Sequence, residues 1–214
     1  MQRHTFFELG AKAIDANLFI IPGRYLDNAD EFQNRLEETM AKLIENNDAL
    51  QVISKTDQLT GLLNRWGFLE MVNRYMETAS EGTRGLFMYA DMDGLKSIND
   101  TYGHDDGDFA LKSMASILRQ ACDDDAIVSR FGGDEFVMFC TIDNDKDVDV
   151  LKHRIWSETE LLNSGLNKPY RVEMSTGMCV VACDSDVDVF QALATADRLL
   201  YQEKRAKKLR RMAE

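Results

Sequence analysis

The chain has 214 residues and a formal net charge of −12 at pH 7, enough length for one well-cored domain with a modest extension. The acidic balance argues against general coating of nucleic acid, because a polyanionic ligand would need cations or bound metal at its own site. Apolar runs are short, Leu18 to Ile21 stopping at Pro22-Gly23, where a membrane-spanning helix needs roughly 18 residues, and Met1 opens no secretory signal, so a cytoplasmic chain without a membrane span is expected.

Residues 1–29 mix Phe6, Phe7, Leu9, Ile14, Leu18 and Phe19 without a clean period and end in turn signals. They read as a segment left from an upstream sensory module. Residues 30–55 change to a polar helical pattern with Leu36, Leu43 and Leu50 at sevenfold spacing and Met40 and Asn47 in the alternate slot. This predicts a short signalling helix forming a parallel coiled coil, with a buried Asn47 favouring the in-register dimer.

From residue 56 onward the pattern alternates between helix and strand. A helix near Trp66 to Thr78 precedes an apolar run, Gly85 to Ala90, suited to a buried strand. A helix over Asp108 to Cys122 would turn Phe109, Ala110, Met114, Ile117, Leu118 and Ala121 inward. A hairpin follows, Ile127 to Phe131 and Phe136 to Thr141, turning through Gly132-Gly133-Asp134-Glu135, since glycine supplies the positive φ of tight turns. The remaining elements are a helix over Lys146 to Asn163, a strand over Tyr170 to Val181 with Val172, Met174, Thr176, Met178 and Val180 inward, and a helix over Val187 to Lys208. The order predicts an α/β fold with one central mixed sheet flanked by helices. Cys122, Cys140, Cys179 and Cys183 show no paired short spacing and read as mostly buried thiols.

Two pairs of acids fall where strands end. Asp91 and Asp93 close the first strand, and Asp134 and Glu135 occupy the hairpin turn. Hard divalent cations are held by one or two carboxylates on rigid elements, with water and phosphate oxygens completing the shell. By position alone, helix capping by Asp91 or Asp93 and a solvated turn explain the same acids equally well.

The motifs around these acids decide between the readings. Arg130-Phe131-Gly132-Gly133-Asp134-Glu135-Phe136 resembles the signature of the GGDEF diguanylate cyclase family. Asp57-Gln58-Leu59-Thr60-Gly61-Leu62-Leu63-Asn64-Arg65 resembles the family's opening motif. Asp91 to Asp100 followed by Gly103 to Asp108 matches a third block, and Ala196-Asp197 through Tyr201 and Lys204 resembles a fourth, so the likeness covers nearly all of residues 57 to 204. Four ordered blocks at family-like spacing are far more specific than five letters.

The resemblance implies a palm-like domain, akin to nucleotide cyclases, over residues 56–214 that joins two GTP into cyclic di-GMP and releases two pyrophosphates across a homodimer. It implies Asp91, the Met92 carbonyl and Asp134 as ligands of Mg²⁺ or Mn²⁺, two ions per site. Asp134 is the candidate proton acceptor, with Glu135 supporting it. Asn99 and Asp108 would read guanine, an amide beside a carboxylate meeting the base's donors and acceptors. Lys96 and Lys204 would reach phosphate, and Gly94, Leu95, Gly132 and Gly133 would lie against the nucleotide. His104 is expected to pack beside the base rather than act in catalysis.

Two departures stand out. Lys208 behind Lys207 replaces the family's frequent Arg behind Gly, and Asp123 and Ala126 occupy the Arg and Asp positions of the inhibitory product motif, so no inhibitory product site is expected. The rival readings are a silent GGDEF module that binds GTP or a partner and relays a signal, and a one-domain nucleotidyl transferase acting on another purine.

Overall fold

The computed structural model describes residues 55–183 and 187–213. The expected segment 1–29 and the coiled coil with Leu36, Met40, Leu43, Asn47 and Leu50 lie outside the described residues.

The helices and strands run α1 Arg65–Thr78, β1 Arg84–Met92, α2 Leu95–Tyr102, α3 His104–Ala121, β2 Ile127–Gly132, β3 Glu135–Ile142, α4 Lys146–Gly165, β4 Met174–Ala182 and α5 Val189–Ala213. The sheet order is β2-β3-β1-β4, and each neighbouring pair is antiparallel. Parallel pairing among the described residues is confined to the isolated bridge of Leu63 to Ser129. A central sheet flanked by helices is thus present as expected.

β1 is an inner strand buried from both sides, which is why its sequence is nearly continuously apolar. Leu86, Met88, Ala90 and Met92 face Ala110, Met114, Ile117 and Leu118 of α3 and Leu151 and Ile155 of α4. Phe87 with Val137 and Phe139 faces Phe68 and Val72 of α1 and Leu193 of α5. Phe68, Phe87, Phe136 and Phe139 are fully buried, each contributing on the order of 2 to 3 kcal/mol through removal of apolar surface from water. The N-terminus of α1 is capped by the Asn64 side chain, which accepts from the Gly67 N–H at 3.0 Å.

Three local expectations need correction. The helix expected from Asp108 begins at His104, so Asp108 lies in its second turn rather than at its cap. A separate helix, α2, precedes it, and Gly103 with φ of 91° divides the two. Phe109 is 39% exposed rather than inward, with the Lys168 ammonium 5.4 Å from its ring centroid. The last strand begins at Met174, not Tyr170. The Val172 peptide is satisfied instead by the Asn163 amide, which donates to its carbonyl and accepts from its N–H, both at 2.8 Å.

Candidate active site

The site is built where β1 ends. Asp91 stands opposite Glu135 on β3 and Ser175 on β4. The Met92 N–H donates to the Asp134 carbonyl at 3.0 Å, stitching the hairpin turn to the strand end. Gly133 has φ of 54° and no atom within 4 Å of where a Cβ would project, so the turn needs glycine for its backbone while the space over it stays open.

A second brace holds the turn from behind. The Arg130 guanidinium donates to the Gly133 carbonyl at 2.9 and 2.7 Å and to both carboxylate oxygens of Asp57 at 3.2 Å. Thr60 donates to the same carboxylate through its N–H at 2.9 Å and its hydroxyl at 2.7 Å. Burial pushes the Asp57 carboxyl up, but the bonds from Thr60 and Arg130 outweigh it and hold the group below 3.8. The folded carboxyl therefore binds its proton less readily than the unfolded one. The resulting stability is fully present above the unfolded value and is lost as pH falls through the folded one. Asp57→Asn is accordingly expected to melt below the parent at neutral pH, the gap narrowing as pH falls through and below the ordinary carboxylate range. A gap unchanged across that range would remove Asp57 as the acid-sensitive element.

The cleft beside the turn has a volume of about 450 Å³. Asp91, Met92, Gly94, Leu95, Lys96 and Asp134 form one wall, and Lys204, Lys207 and Lys208 of α5 the other. Lys204 Nζ lies 2.6 Å from Asp91 Oδ1, whose side chain is only 13% exposed. Burial, then the charges of Asp134 and Asp93, push the Asp91 carboxyl above its ordinary value against the pull of Lys204. Asp91 and Asp134 present hard oxygen donors to this cleft.

A divalent cation of the Mg²⁺ class fits such a place. Among the described residues no group of three His, Cys, Asp or Glu side chains is placed to hold a metal. Asp91, Asp134 and the Met92 carbonyl would thus be completed by water or ligand oxygens, as Mg²⁺ prefers.

Other candidate residues fall in different places. Asn99 is half-buried on α2 and Asp108 exposed on α3. They sit at the α2–α3 corner outside the lining of the cleft. A Cβ added at Gly107 would lie 1.9 Å from Asn99 Oδ1, so the missing side chain at 107 makes room for the Asn99 amide. The Glu135 side chain accepts from the Tyr89 hydroxyl at 3.3 Å and lines a separate cleft with Arg65, Phe131 and Asp197. His104 is exposed at the start of α3.

Neither Asp91 nor Asp93 caps α2, whose N-cap is Gly94 without a side-chain bond. Asp93 is instead held by Ser175 and Lys207, contacts between residues too distant in sequence for periodicity to show. Asp123 pairs with Arg154 at 2.9 Å. Burial pushes the Cys122 and Cys140 thiols up to about 12 and about 11, which leaves them inert at neutral pH.

Residues 54–210 match the family described as "Diguanylate cyclase, GGDEF domain". Over 177 residues the chain is 31% identical to diguanylate cyclase DgcP of Escherichia coli, covering 80% of this chain and 50% of that protein. Over 123 residues it is 33% identical to cyclic di-GMP phosphodiesterase NbdA of Pseudomonas aeruginosa, covering 57% and 16%. The chain thus spans half or less of the length of these two curated relatives.

Diguanylate cyclase SiaD of Pseudomonas aeruginosa, solved with its activator SiaC, superposes with a TM-score of 0.65 at 25% identity, covering 94% of this chain and 77% of that one. The coiled coil and GGDEF domain of DgcB from Caulobacter crescentus, solved with cyclic di-GMP, gives 0.70 at 24%, covering 82% and 95%, a likeness of fold. Together with the strand-end acids and the Gly-Gly turn between β2 and β3, these matches place the chain in the GGDEF-domain diguanylate cyclase family.

Proposed function

We propose that this domain condenses two GTP molecules into cyclic di-GMP, each of two paired domains holding one GTP. In each of two attacks a 3′-oxygen bonds to the α-phosphorus of the other nucleotide, the bond to the β-phosphate oxygen breaks, and pyrophosphate leaves with its electron pair. The observation that carries this reading is the joining of Asp91 and Asp134 at one cleft with lysines of α5 opposite them.

A divalent ion bound there supplies positive charge to the phosphoryl group under attack. Asp134 accepts the proton of the 3′-hydroxyl. Lys96, Lys204 and Lys208 hold the phosphate tail, while Gly132 and Gly133 let the backbone approach the nucleotide. Asn99 and Asp108 receive the base at the α2–α3 corner, apart from the residues that line the phosphate cleft. Incubation with GTP and Mg²⁺, followed by chromatography, tests the reading. GTP left intact at every protein concentration would favour the silent module, and a product from ATP alone a different cyclase.

The Asn99 packing gives a sharper test of the base. Gly107→Ala is expected to displace the Asn99 amide, a movable side-chain end, with little effect on melting. The preference for GTP over ATP should then fall roughly tenfold, the weight of about one hydrogen bond of 1 to 3 kcal/mol. An unchanged GTP-to-ATP ratio of kcat/KM would place guanine recognition elsewhere.

A further inference from the structure

Lys207 is an unusual member of the cleft. It follows Lys204 by three residues on α5 and so shares its face, yet its partners are different. Its Nζ donates to the Met174 carbonyl at 2.6 Å and to Asp93 Oδ2 at 3.0 Å, and lies 3.3 Å from Glu203 Oε1. An ammonium has three protons to give, and three oxygens of the protein surround this one.

Asp93 is equally committed. Its Oδ1 accepts from Ser175 Oγ at 2.8 Å, its N–H donates to the Glu173 carbonyl at 2.9 Å, and its side chain is 15% exposed. The ends of β1, β4 and α5 meet in one knot of polar bonds at the floor of the cleft.

We propose that Lys207 is a positioning residue: it neutralises Asp93, so that Asp91 and Asp134 alone face the cation, and it pins α5 so that Lys204 and Lys208 face the nucleotide. The inference rests on reading the cleft as a nucleotide and metal site, and it assigns Lys207 no contact with phosphate. Two consequences of opposite sign follow. Removing the lysine leaves a third negative charge beside the cation, which strengthens metal binding, and it frees the end of α5, which weakens nucleotide binding.

The test uses the full chain and Mn²⁺ as probe. In Lys207→Met, Mn²⁺ titrated into nucleotide-free protein and followed by electron paramagnetic resonance is expected to bind about tenfold tighter, the scale of one added charge a few ångströms away in a wet site. KM for GTP should rise about tenfold, the weight of one or two charge-assisted bonds. Lys207→Arg should return Mn²⁺ affinity toward the parent. Asp93→Asn, which unbalances the pair in the other direction, should weaken Mn²⁺ binding, and the double variant Lys207→Met/Asp93→Asn should restore it.

A higher KM with unchanged Mn²⁺ affinity would mean that Lys207 touches phosphate, and weakened Mn²⁺ binding would mean that it only supports the fold; either overturns the proposal. If Lys207→Met does not fold, the signs for Asp93→Asn and the double variant decide. A parent inert toward GTP, with the Mn²⁺ shifts as stated, would remove the cyclase reading and leave the role of Lys207 standing.

Discussion

Asp134→Ala and Asp91→Ala are each expected to lower the rate of cyclic di-GMP formation by at least about a hundredfold, the loss seen when a principal electrostatic contributor to a transition state is removed. The structure separates this loss from unfolding. Asp134 supports the hairpin through its backbone carbonyl, which accepts from the Met92 N–H, and that bond survives truncation of the side chain. Asp91 is paired with Lys204 across the cleft, and its carboxyl is held above its ordinary value by burial and neighbouring acids. Loss of Asp91 relieves that repulsion in the fold while depriving a cation of a ligand.

Circular dichroism and melting curves should therefore match the parent while product formation collapses. Glu135→Ala supplies the internal comparison, because its side chain reaches the Tyr89 hydroxyl and a different cleft. Its loss should be smaller than either of the other two. Near-parental turnover in Asp134→Ala or Asp91→Ala would remove that residue from the chemistry.

Residues with short-range signals were readable in advance. The places of Asp91 at a strand end and of Asp134 in a tight turn follow from an apolar strand that ends in an acid and from a Gly-Gly turn between alternating runs, signals contained within a few residues, whereas their expected role as metal ligands rested on the likeness of the motifs to a family. The α2 helix was not readable, because its eight residues bury only Ile98 and leave no apolar period to detect. For the same reason Asp108 looked like the start of a helix that in fact begins four residues earlier. The bonds that organise the cleft are longer in range still, Arg130 reaching Asp57 across 73 positions and Lys207 reaching Asp93 across 114. No pattern along the chain encodes them, and they become visible only when strand ends and α5 are brought together.

A close backbone-to-backbone approach in that assembly lies at Gly177 of β4, and Gly177→Ala is the substitution expected to damage fold and site together. A Cβ there would stand 2.0 Å from the Ala196 carbonyl oxygen and 2.2 Å from the Leu200 nitrogen. Both are backbone atoms of α5, so no rotamer change can relieve the overlap, and the helix itself has to withdraw from the sheet. Overpacking of this kind costs about 3 kcal/mol or more where the neighbour cannot yield. In a chain of this size that corresponds to a fall in Tm of roughly 6 to 12 °C.

The same withdrawal moves Lys204, Lys207 and Lys208 away from Asp91 and Asp93, so GTP turnover should fall at least about tenfold, the weight of one charge-assisted bond, even at temperatures where the variant remains folded. Gly82→Ala is the comparison. Gly82 has a left-handed backbone, with φ of 84°, but nothing lies within 4 Å of its added Cβ, so only a backbone strain of about 1 to 2 kcal/mol is incurred and the cleft is untouched. A Gly177→Ala protein that melts and turns over GTP like Gly82→Ala would show that α5 can leave β4 without loss. It would then have to be the strand ends alone, and not the helix against them, that shape the site.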